Sequence, residues 1–273
     1  MRINQNIAAF NSYRNLSRTN GQLGKSLEKL SSGFRINRAA DDAAGLVKSE
    51  RLRSEINGSR QAISNAQDGI SFVQTAEGAL NEVHSILQRM RTLAIDASNT
   101  ATTDGVPQQA EITELLSELT AVGARTTFAG NAVFQDYTTS ALTFHVGPNA
   151  GAVNQMSITT DLGLASNDVF GTDLSTIDVS SDAGSAMASL DTAIAAVSTN
   201  RATLGATQNR MEHTIANLQV AVENLSASES RIRDTDMAQE MVQFTRHQIM
   251  TQAGTAMLAQ ANQIPTSVLS LLQ

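Results

Sequence analysis

The segment Gly21-Gln22-Leu23-Gly24-Lys25-Ser26 holds the glycines, lysine and hydroxyl with which a phosphate loop cradles a nucleotide. Such a loop needs a further glycine where Thr19 stands, and it must follow a strand. Here the flanking apolar residues recur at helical spacing and Leu23 falls on their stripe, so the segment reads as helix. His84, His145, His213 and His247 are scattered, with no HExxH pair. The acid pairs Asp41-Asp42 and Asp234/Asp236 have no histidine or third carboxylate nearby to complete a metal site. Both pairs precede predicted helices, where a carboxylate caps free backbone N–H groups. Met211, Met237, Met241, Met250 and Met257 read as core packing, not as a metal or cofactor box. The sequons at Asn15, Asn57 and Asn224 fall in predicted helices and read as chance matches. With no cysteine there is no disulfide framework, thiolate metal site or cysteine nucleophile. No nucleophile constellation assembles, so the chain is expected to be a non-enzyme without metal or cofactor.

The elements that carry these residues are mostly helical. Proline occurs only at 107, 148 and 265, which leaves the first 106 residues free of the strongest helix breaker. Ile3, Ile7 and Phe10 start an N-terminal stripe, and Leu23, Leu27, Leu30 and Phe34 continue it in four-three-four steps, a coiled-coil seam. The break Ser31 to Gly45 offers Gly33 as a helix stop and Asp41 or Asp42 as the next N-cap. Ile63, Ala66, Ile70, Val73, Leu80, Val83, Leu87, Met90 and Ala94 then predict one helix over 44–98. At about 1.5 Å per residue it is roughly 80 Å long, too long for a compact globule and suited to a rod. A further helix is predicted from Pro107 to about Phe128. Residues 141–146 and 155–159 read as a hairpin around the turn Gly147-Pro148-Asn149-Ala150-Gly151. From Asp161 to Gly184 no period is strong, and an irregular acidic surface loop with short strand pieces is expected. Helical spacing returns near Met187 and becomes strict from Leu204 to Leu225. The chain ends on Met250, Met257, Ile264, Val268 and Leu271. The fold class is mainly α: long coiled-coil helices from both chain ends form a rod, with a small β-hairpin region in the middle.

Charge divides the chain in the same way. Between Arg125 and Arg201 there is no Lys or Arg, and seven aspartates (136, 161, 168, 173, 178, 182 and 191) equal the whole net charge of −7. The ends are neutral and charge-mixed, as association with other copies tolerates, while an acidic Ser/Thr/Gly-rich middle suits solvent. The acidic balance argues against nucleic acid. No apolar run is long enough to cross a membrane, and the opening MRINQNIAAFNSYRN lacks the apolar core of a secretory signal.

The N-terminal stripe needs a partner, and the C-terminal stripe of the same chain is the cheapest. An arm of roughly 35 residues loses on the order of 1–2 kcal/mol per residue in backbone entropy. Ten or so apolar positions return about 1.5–3 kcal/mol each when fully buried. The two terms nearly cancel. The arms are therefore expected to be disordered in the lone chain, and neighbouring copies must complete the burial.

Three long motifs carry a resemblance. Residues 1–46 hold INQN and LSSGFRINRAADDAAGL; residues 87–99 read LQRMRTLAIDASN; residues 204–273 hold LGATQNRMEHTIANL and ENLSASESRIRDTDMAQEMVQFTRHQIMTQAGTAMLAQANQIPTSVLSLLQ. In this order they resemble bacterial flagellin, the filament subunit of the flagellum, in a short form. The resemblance implies 1–40 and 235–273 as the terminal coiled-coil assembly domain. It implies 41–130 and 187–234 as the helical rod domain and 131–186 as a hairpin and acidic solvent-exposed variable region. By the same resemblance Ile3, Ile7, Phe10, Leu23, Leu27, Leu30, Phe34, Met250, Met257, Ile264, Val268 and Leu271 form the self-assembly seam. It implies export, unfolded, through the flagellar type III apparatus to an extracellular filament used for swimming. The implied partners are other copies of the chain, the flagellin export chaperone (on about 231–273), hook-associated and filament cap proteins, and Toll-like receptor 5. Its receptor patch matches at Arg89, Leu93 and Glu111, with Thr92 in place of a family acid. The alternative is an adaptor of the hook–filament junction, against which the long ENLSASESRIRDTDMAQEM run speaks.

Overall fold

The structure of the chain, a computed structural model, describes residues 5–99, 105–138, 141–165, 168–170, 172–174 and 177–270; for 165, 168 and 264–270 it describes the backbone. Five helices dominate: α1 (Ile7–Ser32), α2 (Ala43–Ala97), α3 (Val106–Arg125), α4 (Ala183–Arg233) and α5 (Met237–Ser270). Between α3 and α4 lie short strands: β1 (Thr127–Phe128), β2 (Asn131–Ala132), β3 (Leu142–His145), β4 (Gln155–Ile158), β5 (Leu164–Ala165), β6 (Asp168–Val169) and β7 (Thr172–Asp173). The chain is mainly α, with long helices from both ends and a small β-hairpin region in the middle.

The helix ends follow local chemistry. Gly33 stops α1 in the left-handed region at φ +74°, where a Cβ is strained, and its N–H donates to Lys29 O at 2.8 Å. Asp42 caps α2 by accepting from Gly45 N at 2.9 Å, and Asp236 caps α5 by accepting from Ala238 N and Gln239 N. Asp182 accepts from Ser185 N and starts α4 four residues before Met187. Pro107 sits in the first turn of α3. That helix ends at Arg125, short of the expected Phe128, because Thr127 and Phe128 turn instead to pair with Ala132 and Asn131.

The chain divides into two units, Met1–Ser54 with Asn224–Gln273, and Glu55–Glu223. In the second unit α2 and α4 run antiparallel: Glu77 pairs with Arg201 and Arg91 with Asp191, so the partner numbers fall as the α2 numbers rise. Val73, Leu80, Val83, Leu87 and Met90 of α2 meet Leu190, Ala193, Val197 and Leu204 of α4 and Ile112, Leu116 and Leu119 of α3 in one core. Phe72 packs edge-on to Phe128, with ring centroids 5.8 Å apart. The β3–β4 hairpin pairs Leu142 with Ile158 and Phe144 with Met156. Gly58 lets it approach, since a Cβ there meets Pro148 at 3.1 Å.

Residues 161–184 carry the expected short strand pieces but are not the expected surface loop. A three-stranded antiparallel sheet, β5–β6–β7, forms there. Leu162, Leu164, Val169, Phe170, Leu174, Ile177 and Val179 are buried in the core, while Asp173, Asp178 and Asp182 stay exposed. Strands of two residues are too short to print an alternation in the sequence. Gln109 of α3 pins the loop as a substitute peptide group: it donates to Ile177 O at 3.0 Å and accepts from Val179 N at 2.9 Å.

In the first unit α1 and α5 pack antiparallel, fixed by Asn6 Nδ2 to Ala261 O at 2.7 Å, Thr251 Oγ1 to Asn20 Oδ1 at 3.3 Å, and Lys29 beside Glu240. They are paired helices in the lone chain, where the entropy argument expects disorder. The loop after α1 is tied to the turn before α5: Arg35 N donates to Arg233 O at 2.6 Å and Thr235 N to Gly33 O at 3.0 Å. Arg233 stacks 4.8 Å over the Phe34 ring and reaches Glu50 at 2.8 Å. These ties hold the start of α2 and the end of α4 in this unit, so its limits fall within helices and not at the loop.

Candidate functional site

No group of three or more His, Cys, Asp or Glu that could hold a metal ion occurs among the described residues, and no helix of the described residues is long and apolar enough to cross a membrane. The surfaces that stand out are the outward faces of α1 and α5.

The inward face of α1 reads Ala9, Ser12, Leu16, Thr19, Leu23, Ser26, Leu30 in three-four steps, all half-buried or buried. The inward face of α5 reads Phe244, His247, Thr251, Gly254, Leu258, Ala261 in the same rhythm. Small and polar residues alternate with leucine, so the helices approach closely: a Cβ on Gly254 meets Leu16 at 3.2 Å. Two threonine hydroxyls on these faces donate within their own helices, Thr19 to Asn15 O and Thr251 to His247 O, both at 2.9 Å, and that of Thr251 also lies 3.3 Å from Asn20 Oδ1. His247 Nδ1 is buried without a hydrogen-bond partner among the described residues.

Other large apolar residues point the other way. Ile7, Phe10 and Tyr13 are 64%, 69% and 64% exposed, and Leu27 57%. On α5, Met237, Met241, Val242, Ile249, Met250 and Met257 are all exposed. Met241, Val242, Thr245, Arg246, Ile249 and Met250 line a shallow groove of about 460 Å³.

The expected single seam is therefore two faces. Leu23, Leu30 and Phe34 are half-buried, whereas Ile7, Phe10, Leu27, Met250 and Met257 are exposed. The 13 residues from Phe10 to Leu23 amount to about 1,300° at 3.6 residues per turn, some 220° beyond whole turns, so the two stand on opposite sides. Met250 and Met257 each lie one residue before the inward Thr251 and Leu258, and so off the seam. Ile3 and Leu271 lie outside the described residues, as do the side chains of Ile264 and Val268. The reading of the methionines as core is corrected as well: Met211 is fully buried, but Met237, Met241, Met250 and Met257 are not.

A second surface lies in the other unit. Arg89 Nη2 and Nε of α2 both reach Glu111 Oε1 of α3, at 2.7 and 2.8 Å. Arg91 points elsewhere and bonds Asp191 of α4 at 2.5 Å, which lowers the Asp191 carboxyl and raises the guanidinium. Thr92 Oγ1 turns back to Arg89 O. Leu93 does not join this surface. It is 7% exposed, because a step of four residues rotates it about 40° from Arg89, under the neighbouring helices. Sequence reasoning missed Arg233, Gln109 and the inward Thr19 and Ser26. Each acts on residues distant in the chain, or is polar where a hydrophobic pattern is sought.

Two family models match, the bacterial flagellin N-terminal helical region over residues 3–139 and the bacterial flagellin C-terminal helical region over 187–272. The chain belongs to the bacterial flagellin family. A flagellin of Halalkalibacterium halodurans is 48% identical over 276 residues and one of Bacillus subtilis 46% over 308, each alignment covering 100% of both chains. The flagellar filament 33 kDa core protein of Treponema phagedenis is 43% identical over 286 residues, again at 100% of both. Matches of this length to flagellins and a filament core protein disfavour the hook–filament junction reading. Flagellins are structural proteins, which agrees with the non-enzymatic reading.

Proposed function

We propose that this flagellin builds the flagellar filament by burying the outward faces of α1 and α5 against other copies of itself. The observation that supports this is the placement of its largest apolar side chains. In the unit of α1 and α5, Ile7, Phe10, Tyr13, Met241, Val242, Ile249 and Met257 face water although a partner helix lies alongside. A contiguous exposed apolar surface on a folded chain marks an association site. The neutral charge balance of the ends favours contact between like copies, while the exposed aspartates of the middle favour solvent. In this reading 1–40 and 235–273 form the assembly domain. The helices of 41–130 and 187–234 form the next layer, and 131–186 carries the outer surface. Ile3, Ile264, Val268 and Leu271 extend the assembly set.

The test is seeded polymerisation of Val242→Asp and Phe10→Asp. An uncompensated carboxylate in a buried contact costs several kcal/mol, so fibres should be lost while the helicity and melting of the monomer stay near wild type. Normal fibres from both variants refute the assignment of these faces.

The finer roles rest on the family. Export through the flagellar type III apparatus, an extracellular location, an export chaperone on 231–273 and hook-associated and cap proteins at the filament ends are proposed on that basis. Toll-like receptor 5 is proposed to contact Arg89 and Glu111, whose ion pair is exposed. Leu93 supports that surface from beneath. Arg89→Ala should then reduce signalling with an unchanged monomer melt, and Leu93→Ala should reduce both.

A further inference from the structure

The chain has nine methionines, no cysteine and no tryptophan. With no thiol or indole to compete, the thioethers are the side chains most open to two-electron oxidants. Met1 lies outside the described residues and Met187 is half-buried, but the fold divides the other seven sharply. Met90 and Met211 are 0% exposed and Met156 5%, all packed inside one unit. Met237, Met241, Met250 and Met257 are 48%, 49%, 49% and 62% exposed, all on one helix. Met241 and Met250 line the α5 groove beside Val242 and Ile249. A leucine at any of these positions would supply similar apolar area without the reactive sulfur.

We propose that Met237, Met241, Met250 and Met257 form a reversible oxidation site, with hydroperoxides and hypohalous acids as its reagents, that stops the chain from polymerising. With hydrogen peroxide, the sulfur lone pair attacks one peroxide oxygen, the O–O bond breaks, an S–O bond forms and water leaves. Sulfur loses two electrons and the peroxide gains them. The product carries a polar sulfoxide oxygen that needs a hydrogen-bond donor once buried. The side-chain donors lining the groove are the Arg246 guanidinium and the Thr245 hydroxyl, and the latter already donates to Met241 O at 2.8 Å. Enzymatic reduction by methionine sulfoxide reductases, one for each epimer, restores the thioether. The consequence for growth rests on the self-assembly reading; the order of oxidation does not. Copies already packed in a filament would be shielded, so the site acts on subunits before they add.

The experiment treats the full chain, as monomer, with hydrogen peroxide, maps sulfoxides by peptide mass spectrometry and measures the critical concentration for growth on seeds. Met237, Met241, Met250 and Met257 should oxidise first, with Met90, Met156 and Met211 slower by roughly tenfold or more, as burial dictates. The critical concentration should rise at least about tenfold, equivalent to roughly 1.4 kcal/mol of lost contact, and return after both reductases. A chain carrying Met237→Leu, Met241→Leu, Met250→Leu and Met257→Leu has no oxidisable sulfur at the site, so its critical concentration, whatever its untreated value, should not change after peroxide. Growth of the oxidised wild type at an unchanged critical concentration overturns the proposal. So does an equal loss in the leucine chain, which places the sensitivity elsewhere, or oxidation of Met90 and Met211 as fast as of the α5 set. Failure of untreated wild type to extend seeds rejects the self-assembly reading, while the mass-spectrometric order still decides whether the oxidation site exists.

Discussion

The two units of this flagellin handle apolar side chains in opposite ways. In residues 55–223, leucines, valines and methionines of α2, α3 and α4 turn inward, and Val73, Leu80, Leu87, Met90 and Leu190 lose all contact with water. In the unit made of both chain ends, the helix–helix seam is lined largely by alanine, serine, threonine and glycine between scattered leucines, with Phe244 and His247 at one end, and many of the bulky apolar residues lie outside. Two helices touching along one edge cannot enclose a core. Three helices and a layer of strands can. The second unit thus encloses its own core, and the first leaves much of its apolar surface open.

The largest expected effect tests the enclosed core. Leu87→Ala removes a fully buried side chain and should cost about 2–5 kcal/mol in urea unfolding of the monomer. Phe10→Ala, a larger deletion at a 69% exposed position, should stay within about 0.5 kcal/mol. Equal losses would break the comparison. The next effect concerns opening. Amides of α1 and α5 should exchange with solvent water well before those of Val73 to Ala94, because few buried apolar groups hold the arms. Matching protection in dilute monomer would show the hairpin of ends to be as secure as the core.

A smaller effect sharpens the local picture. Asp236→Ala removes the cap on α5 and should cost about 1 kcal/mol. It should fray only the arm, read as faster exchange at Met237 to Met241 with the other unit's protection unchanged. The smallest effect lies in the acidic middle. Ser180 and Ser181 hydroxyls and the Ser180 N–H donate to Asp178 and hold its carboxyl at about 2, against an ordinary 3.8. A depressed carboxyl stabilises the folded chain above its unfolded value and loses that contribution as pH falls. The melting difference between wild type and Asp178→Asn should therefore be present above about pH 4 and vanish as pH drops through 2. A difference that persists at pH 2 would assign the turn's stability to shape and not charge.

Much of this architecture was legible residue by residue. Gly33, Asp42, Pro107 and Asp236 mark helix ends through chemistry confined to one turn of chain. The 55-residue α2 shows itself in an unbroken run without proline, and the hairpin in its Gly-Pro turn and short β-rich flanks. The long end motifs point to the family. The candidate site was less legible. Ile7, Phe10, Leu23 and Leu27 all carry the same hydrophobic signal, yet Leu23 turns to α5 and the others turn away.

The sequence by itself determined the helices, several of their caps and the family, because propensity, capping and turn geometry act between residues a few positions apart. Only the tertiary structure decided which face of each end helix is inward, that Leu93 belongs to the core while Arg89 meets Glu111, and that Leu162, Leu164, Val169, Phe170, Leu174, Ile177 and Val179 are buried. Those outcomes depend on which distant segment lies alongside. α5 offers α1 a small-residue track of Thr251, Gly254 and Ala261, and close approach along that track leaves the bulkier stripe of each helix facing out.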